Sequence, residues 1–260
     1  MDRMTEDRES DAVAAFYDAL APGYDRMTGF ANRFAVEAPA YKRIVETYRI
    51  HSAIDAGAGT GFHSIMLAQS GVQVTAVDRS ASMLDRLRQH AVSYGVSVNT
   101  IVGGFETIPA NLQNPVDAVF CLGNTIAHLR TEEEVLLALG GFRGALRQGG
   151  ILVLQLLNYE RILRSRERIQ NVKQEGDEIF IRMYDFEGEE IRFNIVRLQG
   201  SAGKWSHSMQ SVPLYPWTAG KLVPVLARAG FSGAKLFGGV TMEPYSPDSS
   251  RDLVVMTQRT

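Results

Sequence analysis

Two carboxylates and three alternate glycines are the residues of this chain whose spacing could bind a nucleoside. Asp55 is followed by Gly57, Gly59 and Gly61, and Asp78 comes 23 positions after Asp55; each acid closes a short apolar run. Glycines let the backbone turn tightly beside a ligand, and the N-terminus of a helix that follows such a turn offers free N–H groups. An acid about 20 residues further along is placed to accept hydrogen bonds from a ribose. The pattern predicts an adenosine site, although dinucleotide enzymes use Gly-x-Gly-x-x-Gly instead.

Tyrosine and histidine side chains outside this turn are candidates for contact with the reacting groups. Tyr17 and Tyr24 each precede an aspartate ahead of the first strand, where a tyrosine can close over an amine ligand or serve as a packing anchor. His128 is a candidate general base or a structural histidine, and Glu106 and Tyr24 are further base candidates. Met83 fits either an adenine face or the core. For each of these residues both alternatives stay open.

Strands and helices alternate from about residue 53 to residue 157, which predicts a parallel sheet. The strands are apolar almost throughout, and Thr131 with Glu134 forms a capping box that begins one of the helices. Open sheets of this kind bind ligands at the carboxyl ends of their strands. The predicted strands lie at 53–54, 72–78, 97–102, 116–121 and 151–157.

Beyond the fifth strand the period changes to two residues, which predicts an antiparallel insertion. Its strands are expected at Glu178–Phe186, Glu190–Gln199 and Lys204–Val212. The basic stretch Tyr159–Lys173 is typical of a solvated helix face, and we assign it no role. At the other end of the chain, the first helix is expected to break at Pro22-Gly23.

Composition and charge favour a small-molecule partner. Lys and Arg total 27 against 29 Asp and Glu, so the formal net charge is −2 and no global basic field attracts nucleic acid. Cys121 is the only cysteine, which excludes an intramolecular disulfide, and no apolar run reaches the ~20 residues of a membrane span. We expect a cytoplasmic protein with a small-molecule acceptor, without a metal site and without nucleic-acid or membrane partners; a homo-oligomer stays open.

The order of these motifs resembles that of the class I S-adenosylmethionine-dependent methyltransferases, and within them the glycine N-methyltransferase-like small-molecule enzymes. Asp55–Gly61 is similar to the family's cofactor motif, Asp78 to its ribose acid and Cys121–Leu129 to the subgroup's strand-four loop. Tyr215-Pro216 and Glu243–Tyr245 fall where the subgroup has Tyr-Pro and Pro-Tyr pairs. The resemblance covers nearly the whole chain and implies an α/β Rossmann-like fold. That fold has a seven-stranded, mostly parallel sheet and an antiparallel strand insertion after the fifth strand.

The resemblance also implies the cofactor S-adenosyl-L-methionine, the product S-adenosyl-L-homocysteine and in-line methyl transfer to a nitrogen or oxygen of a small molecule. It implies two catalytic residues, Tyr24 and His128. The implied cofactor-binding residues are Tyr17, Tyr24, Asp55, Gly57, Gly59, Asp78, Arg79, Met83, Gly104, Phe105, Glu106, Cys121, Leu122 and His128. The implied substrate-binding residues are Asn124, Asn158, Tyr159, Tyr215 and Tyr245. The corresponding domains are a helical lid segment (1–50), the cofactor-binding core (51–170), the insertion covering the acceptor (171–215) and the rest of the core (216–260).

Two positions depart from the family pattern. Many relatives carry an acid after the third strand to meet the adenine amine, whereas this chain has Gly104, so that contact passes to Glu106 or to the backbone. Relatives that methylate glycine carry an arginine before Asn-Tyr, whereas Asn158-Tyr159 follows Leu157, which argues against free glycine as acceptor. The alternative functions are a non-catalytic S-adenosylmethionine-binding protein and, with less support, a nicotinamide-dependent dehydrogenase.

Overall fold

Strands and helices alternate through the first half of the chain, and a run of consecutive strands follows. The computed structural model describes residues 3–108, 114–201 and 203–260, with side chains from residue 12 onward. The helices are α1 (Arg3–Thr28), α2 (Phe30–Tyr48), α3 (Phe62–Gln69), α4 (Ala81–Ser93), α5 (Glu132–Ala145), α6 (Tyr159–Ser165) and α7 (Ala219–Arg228). The strands are β1 (Ser52–Ala56), β2 (Gln73–Asp78), β3 (Asn99–Val102), β4 (Val116–Cys121), β5 (Leu146–Leu157), β6 (Ile169–Glu175), β7 (Glu178–Glu187), β8 (Glu190–Ser201), β9 (Lys204–Leu214), β10 (Phe231–Phe237) and β11 (Asp252–Arg259).

The central sheet has seven strands in the order β10-β11-β5-β4-β1-β2-β3. Strands β1 to β5 pair in parallel, while β11 is antiparallel to both of its neighbours, β5 and β10. Apolar residues bury both faces of its inner strands, as the near-continuous apolar sequence of β4 requires. The predicted fold class is confirmed. Since β1, β2 and β4 are parallel, Asp55, Asp78 and Cys121 come to the same edge of the sheet.

A second sheet is formed by the insertion and has four antiparallel strands in the order β6-β7-β8-β9. The three expected strands are present, but the interpretation of Tyr159–Lys173 as a helix face is wrong beyond Ser165. Helix α6 ends at Ser165, where Arg166, with a left-handed φ of 47°, is its C-cap, and β6 then pairs along β7. Of the basic residues of this stretch only Lys173 lies on β6; Arg161 and Arg164 belong to α6, and Arg166 and Arg168 lie between the two elements.

Helix α1 continues past the proline at which it was expected to break. It includes Pro22 and ends at Thr28, and Gly29, with φ of 72°, turns the chain into α2. Proline removes one backbone donor, but α1 buries Leu20, Ala21 and Met27 on either side of that point, so tertiary packing outweighs the lost hydrogen bond. Within the described part of the chain, no helix is long and apolar enough to cross a bilayer.

Candidate active site

A cavity of about 620 Å³ opens at the carboxyl edge of β1, β2 and β4, between the central sheet, α1 and the insertion. This volume lies within the range of roughly 300–1,000 Å³ that is usual for small-molecule sites. The edge of the sheet, the N-terminal helices and β9 all contribute to its wall. Among the residues predicted to bind a cofactor, Tyr17, Tyr24, Gly57, Gly59, Asp78, Arg79, Gly104, Phe105, Glu106, Leu122 and His128 line it.

The glycine turn between β1 and α3 forms one wall of this cavity. A Cβ atom on Gly57 would lie 2.3 Å from Thr125 Cγ2, and one on Gly61 would lie 2.4 Å from Leu87 Cγ. A Cβ on Gly59 would meet nothing within 4 Å, although its φ of 55° also favours glycine. Two of the glycines are thus required by packing, while the middle one leaves open space through which a ligand can approach the backbone.

Asp78, at the end of β2, is fastened to the glycine turn by its carboxylate. Its Oδ2 accepts a hydrogen bond from the Gly59 N–H at 2.7 Å, and its Oδ1 accepts one from the Ser80 N–H at 2.9 Å. Burial raises the pKa of this carboxyl group, and the two backbone hydrogen bonds oppose that rise. An ionised carboxylate has about four acceptor positions, so capacity remains for the hydroxyls of a ribose.

Asp55 lies beneath the turn and does not line the cavity. It is fully buried, and its Oδ2 accepts a hydrogen bond from the Ser64 hydroxyl at 2.6 Å. Its Oδ1 is buried and has no hydrogen-bond partner among the described residues. Burial raises the Asp55 pKa to about 7, and the Ser64 hydrogen bond opposes the rise. An unpartnered acceptor directly under a glycine turn fits a site that a polar ligand or water completes.

The adenine end predicted near Gly104 is closed by an ion pair. Arg79 Nη2 lies 2.9 Å from Glu106 Oε2. A Cβ on Gly104 would lie 2.3 Å from Arg79 Nη2 and 2.4 Å from Glu106 Oε2, so this pair occupies the space that a side chain there would need. Both atoms are the tips of flexible, part-exposed side chains that can move aside, so packing alone does not require glycine at position 104. Contact of Glu106 with the adenine amine stays a prediction.

Tyr17 and His128 meet across the cavity. The Tyr17 hydroxyl lies 2.8 Å from His128 Nε2, and the two rings make an edge contact with centroids 5.5 Å apart. Burial lowers the His128 pKa to about 4, so the imidazole is neutral at pH 7. Its Nδ1 is buried without a partner in the described residues. Burial also raises the pKa of Tyr17 and of Tyr24, whose ring lies 6.2 Å from that of Tyr17.

Arg33 is a cavity residue that sequence reasoning missed. It stands on α2, where its guanidinium pairs with Glu37 at 2.8 and 3.2 Å and lies 4.3 Å above the Phe62 ring. A lone arginine 22 positions before Asp55 gives no motif, and only the turn at Gly29 brings it to the glycine turn. The site thus holds a cation that fits the carboxylate of a methionine-like ligand.

Several predicted site residues lie outside the cavity wall. Met83 and Cys121 are completely buried in the core, which supports the structural alternative for Met83; burial raises the pKa of the Cys121 thiol far above its ordinary value. None of the five predicted substrate-binding residues lines the cavity either.

Those five side chains hold neighbouring segments together. The Asn158 Nδ2 donates to the carbonyls of Ser246, Pro247 and Ser250, and its Oδ1 accepts from the Tyr245 hydroxyl at 2.8 Å. The Asn124 Nδ2 donates to the Tyr159 hydroxyl at 2.9 Å, and Lys221 donates to the Tyr215 hydroxyl at 2.7 Å. Each of these five side chains therefore already makes a hydrogen bond within the protein.

Several known proteins are similar to this chain in sequence. A family profile described as a methyltransferase domain matches residues 53–150. The chain is 25% identical over 246 residues to the glycine/sarcosine N-methyltransferase of Parasynechococcus marenigrum, across 95% of this chain and 84% of that protein. It is 31% identical over 159 residues to the glycine/sarcosine N-methyltransferase of Aphanothece halophytica, across 61% of this chain and 60% of that protein.

A solved structure shares the fold. An S-adenosylmethionine-dependent methyltransferase from Clostridium acetobutylicum superposes with a TM-score of 0.79 over 94% of this chain and 98% of that chain, at 11% identity. At that identity the likeness is one of architecture alone.

Proposed function

We propose a function for this chain from the premise that it belongs to the class I S-adenosylmethionine-dependent methyltransferases. The methyltransferase domain over residues 53–150, the N-methyltransferase relatives and the seven-stranded sheet support that membership together. The predicted enzyme class and the predicted cofactor are therefore confirmed. The alternatives of a nicotinamide-dependent dehydrogenase and of a non-catalytic binding protein are dropped.

The residues present fit S-adenosylmethionine. Asp78 would accept hydrogen bonds from its ribose, the backbone at Gly59 would lie against it, and the Arg33 guanidinium would meet its carboxylate. When bound, the cofactor supplies a methyl group on a sulfonium, which is open to in-line attack. The cavity accelerates such a reaction chiefly by alignment, which can contribute roughly 7–11 kcal/mol.

We propose that the methyl acceptor is the nitrogen of a small-molecule amine. The observation that carries this proposal is the state of His128, whose Nε2 is engaged by the Tyr17 hydroxyl at 2.8 Å and whose burial lowers its pKa to about 4, which makes it a weak proton acceptor. A hydroxyl would need a base to become nucleophilic, whereas a neutral amine already presents a lone pair. The two relatives named as glycine/sarcosine N-methyltransferases support nitrogen as well.

We propose that the acceptor lies between the lid segment and the insertion of the predicted division of the chain. The lid segment, residues 1–50, contributes Tyr17, Tyr24 and Arg33 to the cavity, and β9 of the insertion contributes Ser211 and Val212. We propose that these two segments exclude water from the reacting groups. A cytoplasmic location and a homo-oligomer stay predictions.

Release of S-adenosylhomocysteine from matched acceptors tests this proposal. Primary and secondary amines are compared with alcohols of the same carbon skeleton at a pH where part of each amine is neutral. We expect turnover with amines and none above background with the alcohols. Preferential turnover of the alcohols would overturn the assignment of nitrogen.

A further inference from the structure

The four-stranded sheet of the insertion is apolar on both of its sides. Phe180 on β7 and Ile195 on β8 are buried on the side that faces α1. Successive residues of a strand point to opposite sides, so Ile181 and Val196, which follow them in the chain, point away from α1. An antiparallel sheet with one solvated side normally carries polar residues on that side. Here the charged Arg197 points toward α1 instead and pairs with Glu178.

Strand pairing places apolar side chains in line across the side that points away from α1. Val172 on β6 lies opposite Ile181, Ile181 lies opposite Val196, and Val196 lies opposite Met209 on β9. Residues that lie opposite each other share a side of the sheet. None of these side chains belongs to the hydrophobic core formed by the described residues. With the apolar neighbours of this row they form a surface that we call the outer face: Val172, Ile179, Ile181, Met183, Val196, Leu198, Trp205 and Met209.

The largest side chains at the two edges of the outer face are open to solvent. Val172 is 58% exposed, and Trp205 and Met209 are each 59% exposed. The Trp205 ring lies against the backbone of Gly200, where a Cβ atom would come within 3.3 Å of it. Contiguous exposed apolar surface marks interaction sites, and tryptophan is enriched among the residues that dominate binding energy. The outer face therefore has the character of a surface that a partner covers.

Charge is confined to one end of this side of the sheet. Asp185 pairs with Arg168, and Arg192 pairs with Glu187, next to the turn between β7 and β8. Among the described residues that lie between the apolar side chains, His207 is the only one that titrates near neutral pH. A charged partner would find no opposite charge there, whereas two identical outer faces can meet without repulsion. The distribution of charge thus favours a second copy of this chain.

The size of this side of the sheet agrees with a dimer interface. Strands β7, β8 and β9 have 10, 12 and 11 residues. Four strands spaced by ~4.8 Å, with a rise of ~3.3 Å per residue, cover about 600 Å². Each partner of a standard interface contributes roughly 600–1,000 Å². The parts of residues 1–260 that lie outside the described ranges are too short to cover four strands.

We propose that the outer faces of two copies of this chain pack against each other and form a two-fold symmetric dimer. Two such sheets lie ~10 Å apart, with their strand directions within about 30° of each other. A two-fold axis brings the same residues to both sides of the contact. Ile181 and Val196, in the middle of the row, then lie closest to the axis. The inference goes beyond the proposed function and does not rest on it.

Sedimentation equilibrium of the full chain at about 1–100 μM tests the dimer. We expect a molar mass twice that of one chain, and we expect Val172→Glu and Met209→Glu each to raise the dimer Kd at least about 100-fold, because a carboxylate would be buried without a partner. Both positions are exposed in the single chain, so these variants should fold, which urea denaturation verifies. Met209→Leu should keep the dimer. Val92→Glu is the matched control, because Val92 is an exposed apolar residue on α4.

The two glutamate variants also separate packing of faces from pairing of edges. Val172 and Met209 lie on opposite edge strands, β6 and β9, so face packing needs both positions, whereas edge-to-edge pairing through one strand needs only one.

Tryptophan fluorescence gives a second readout, because Trp217 is buried and only Trp205 changes its exposure. Dilution of the wild type should shift the emission to longer wavelength, and Trp205→Phe should abolish that shift. The proposal is overturned by a wild type that is monomeric over the whole range, or by a dimer that neither or only one of the glutamate variants weakens.

Discussion

Replacement of Asp78 by alanine is the most informative single change at the cofactor end of the cavity. Its carboxylate has about four acceptor positions, of which the N–H groups of Gly59 and Ser80 use two. The remaining two are available to the ribose hydroxyls. Hydrogen bonds to a charged acceptor are worth about 1.5–3 kcal/mol, so Asp78→Ala should weaken S-adenosylmethionine binding about 10- to 150-fold.

The structure also indicates what this change does to the protein without ligand. Burial raises the Asp78 pKa, because the ionised carboxylate is less favourable in the folded protein than in the unfolded chain. The contribution of this group to the free energy of unfolding therefore falls as pH rises. At neutral pH Asp78→Ala removes that penalty and leaves two N–H groups without their acceptor. These two effects oppose each other, and we expect a change in unfolding free energy smaller than the change in binding free energy.

Isothermal titration calorimetry measures the affinity, and urea denaturation of the same preparation verifies folding. Asp85→Ala is the matched control, because Asp85 is an exposed acid on the next helix that pairs with Arg88. Wild-type affinity in a folded Asp78→Ala protein would remove Asp78 from the cofactor site and with it the interpretation of the glycine turn.

Three further predictions concern Tyr24, His90 and His128. Tyr24→Phe should keep most of the affinity for S-adenosylmethionine in calorimetry and lower turnover, because Tyr24 lines the cavity and we propose that its hydroxyl aligns the acceptor. His90 contacts two acceptors, Thr60 O at 2.8 Å and Asp25 Oδ2 at 3.1 Å, so both ring nitrogens must donate and the ring must be protonated. The hydrogen bond to Asp25 raises the His90 pKa, so this stabilisation is complete below the unfolded value of about 6.5 and is lost as pH rises through the folded value. In urea denaturation, His90→Gln should therefore cost about 1.5–3 kcal/mol at pH 5.5 and less at pH 9. Since the His128 pKa is about 4, His128→Gln should leave the pH profile of kcat between 6 and 8 unchanged in shape.

Each of these predictions has an outcome that contradicts it. Full turnover by Tyr24→Phe would leave that tyrosine as a packing anchor. A cost of His90→Gln that is equal at both pH values would mean that the imidazole is neutral in its contacts. If kcat of the wild type changed with pH near neutrality and His128→Gln removed that change, His128 would be a base that titrates in the reaction.

The cofactor half of the site could be predicted from sequence because its signals are local. The glycine turn and the acid of β2 lie next to apolar strands, and parallel strands deliver both to one edge of the sheet. The antiparallel insertion was likewise visible in its two-residue period. Edge strand β6 was missed because it is short, polar and exposed, and because the arginines that precede it belong to a helix.

The acceptor half could not be predicted because it depends on tertiary contacts. Arg33, which we propose for the carboxylate of the cofactor, was missed for the same reason, since it reaches the cavity only through the turn between α1 and α2. The side chains assigned to substrate by resemblance, such as Asn158 and Tyr159, are used to join segments of this chain. Sequence alone does not show which polar groups already have a partner.

The most direct test of the central claim follows an isotopic label from cofactor to amine. Wild-type protein is incubated with S-adenosylmethionine that carries a trideuterated methyl group and with a panel of small amines, and the products are analysed by mass spectrometry. We predict an amine product heavier by one CD₃ group in place of hydrogen, formed in equal amount with S-adenosylhomocysteine and reduced in Asp78→Ala at limiting cofactor. A wild type that binds S-adenosylmethionine yet transfers no label to any amine, while it labels an oxygen acceptor, would contradict the account.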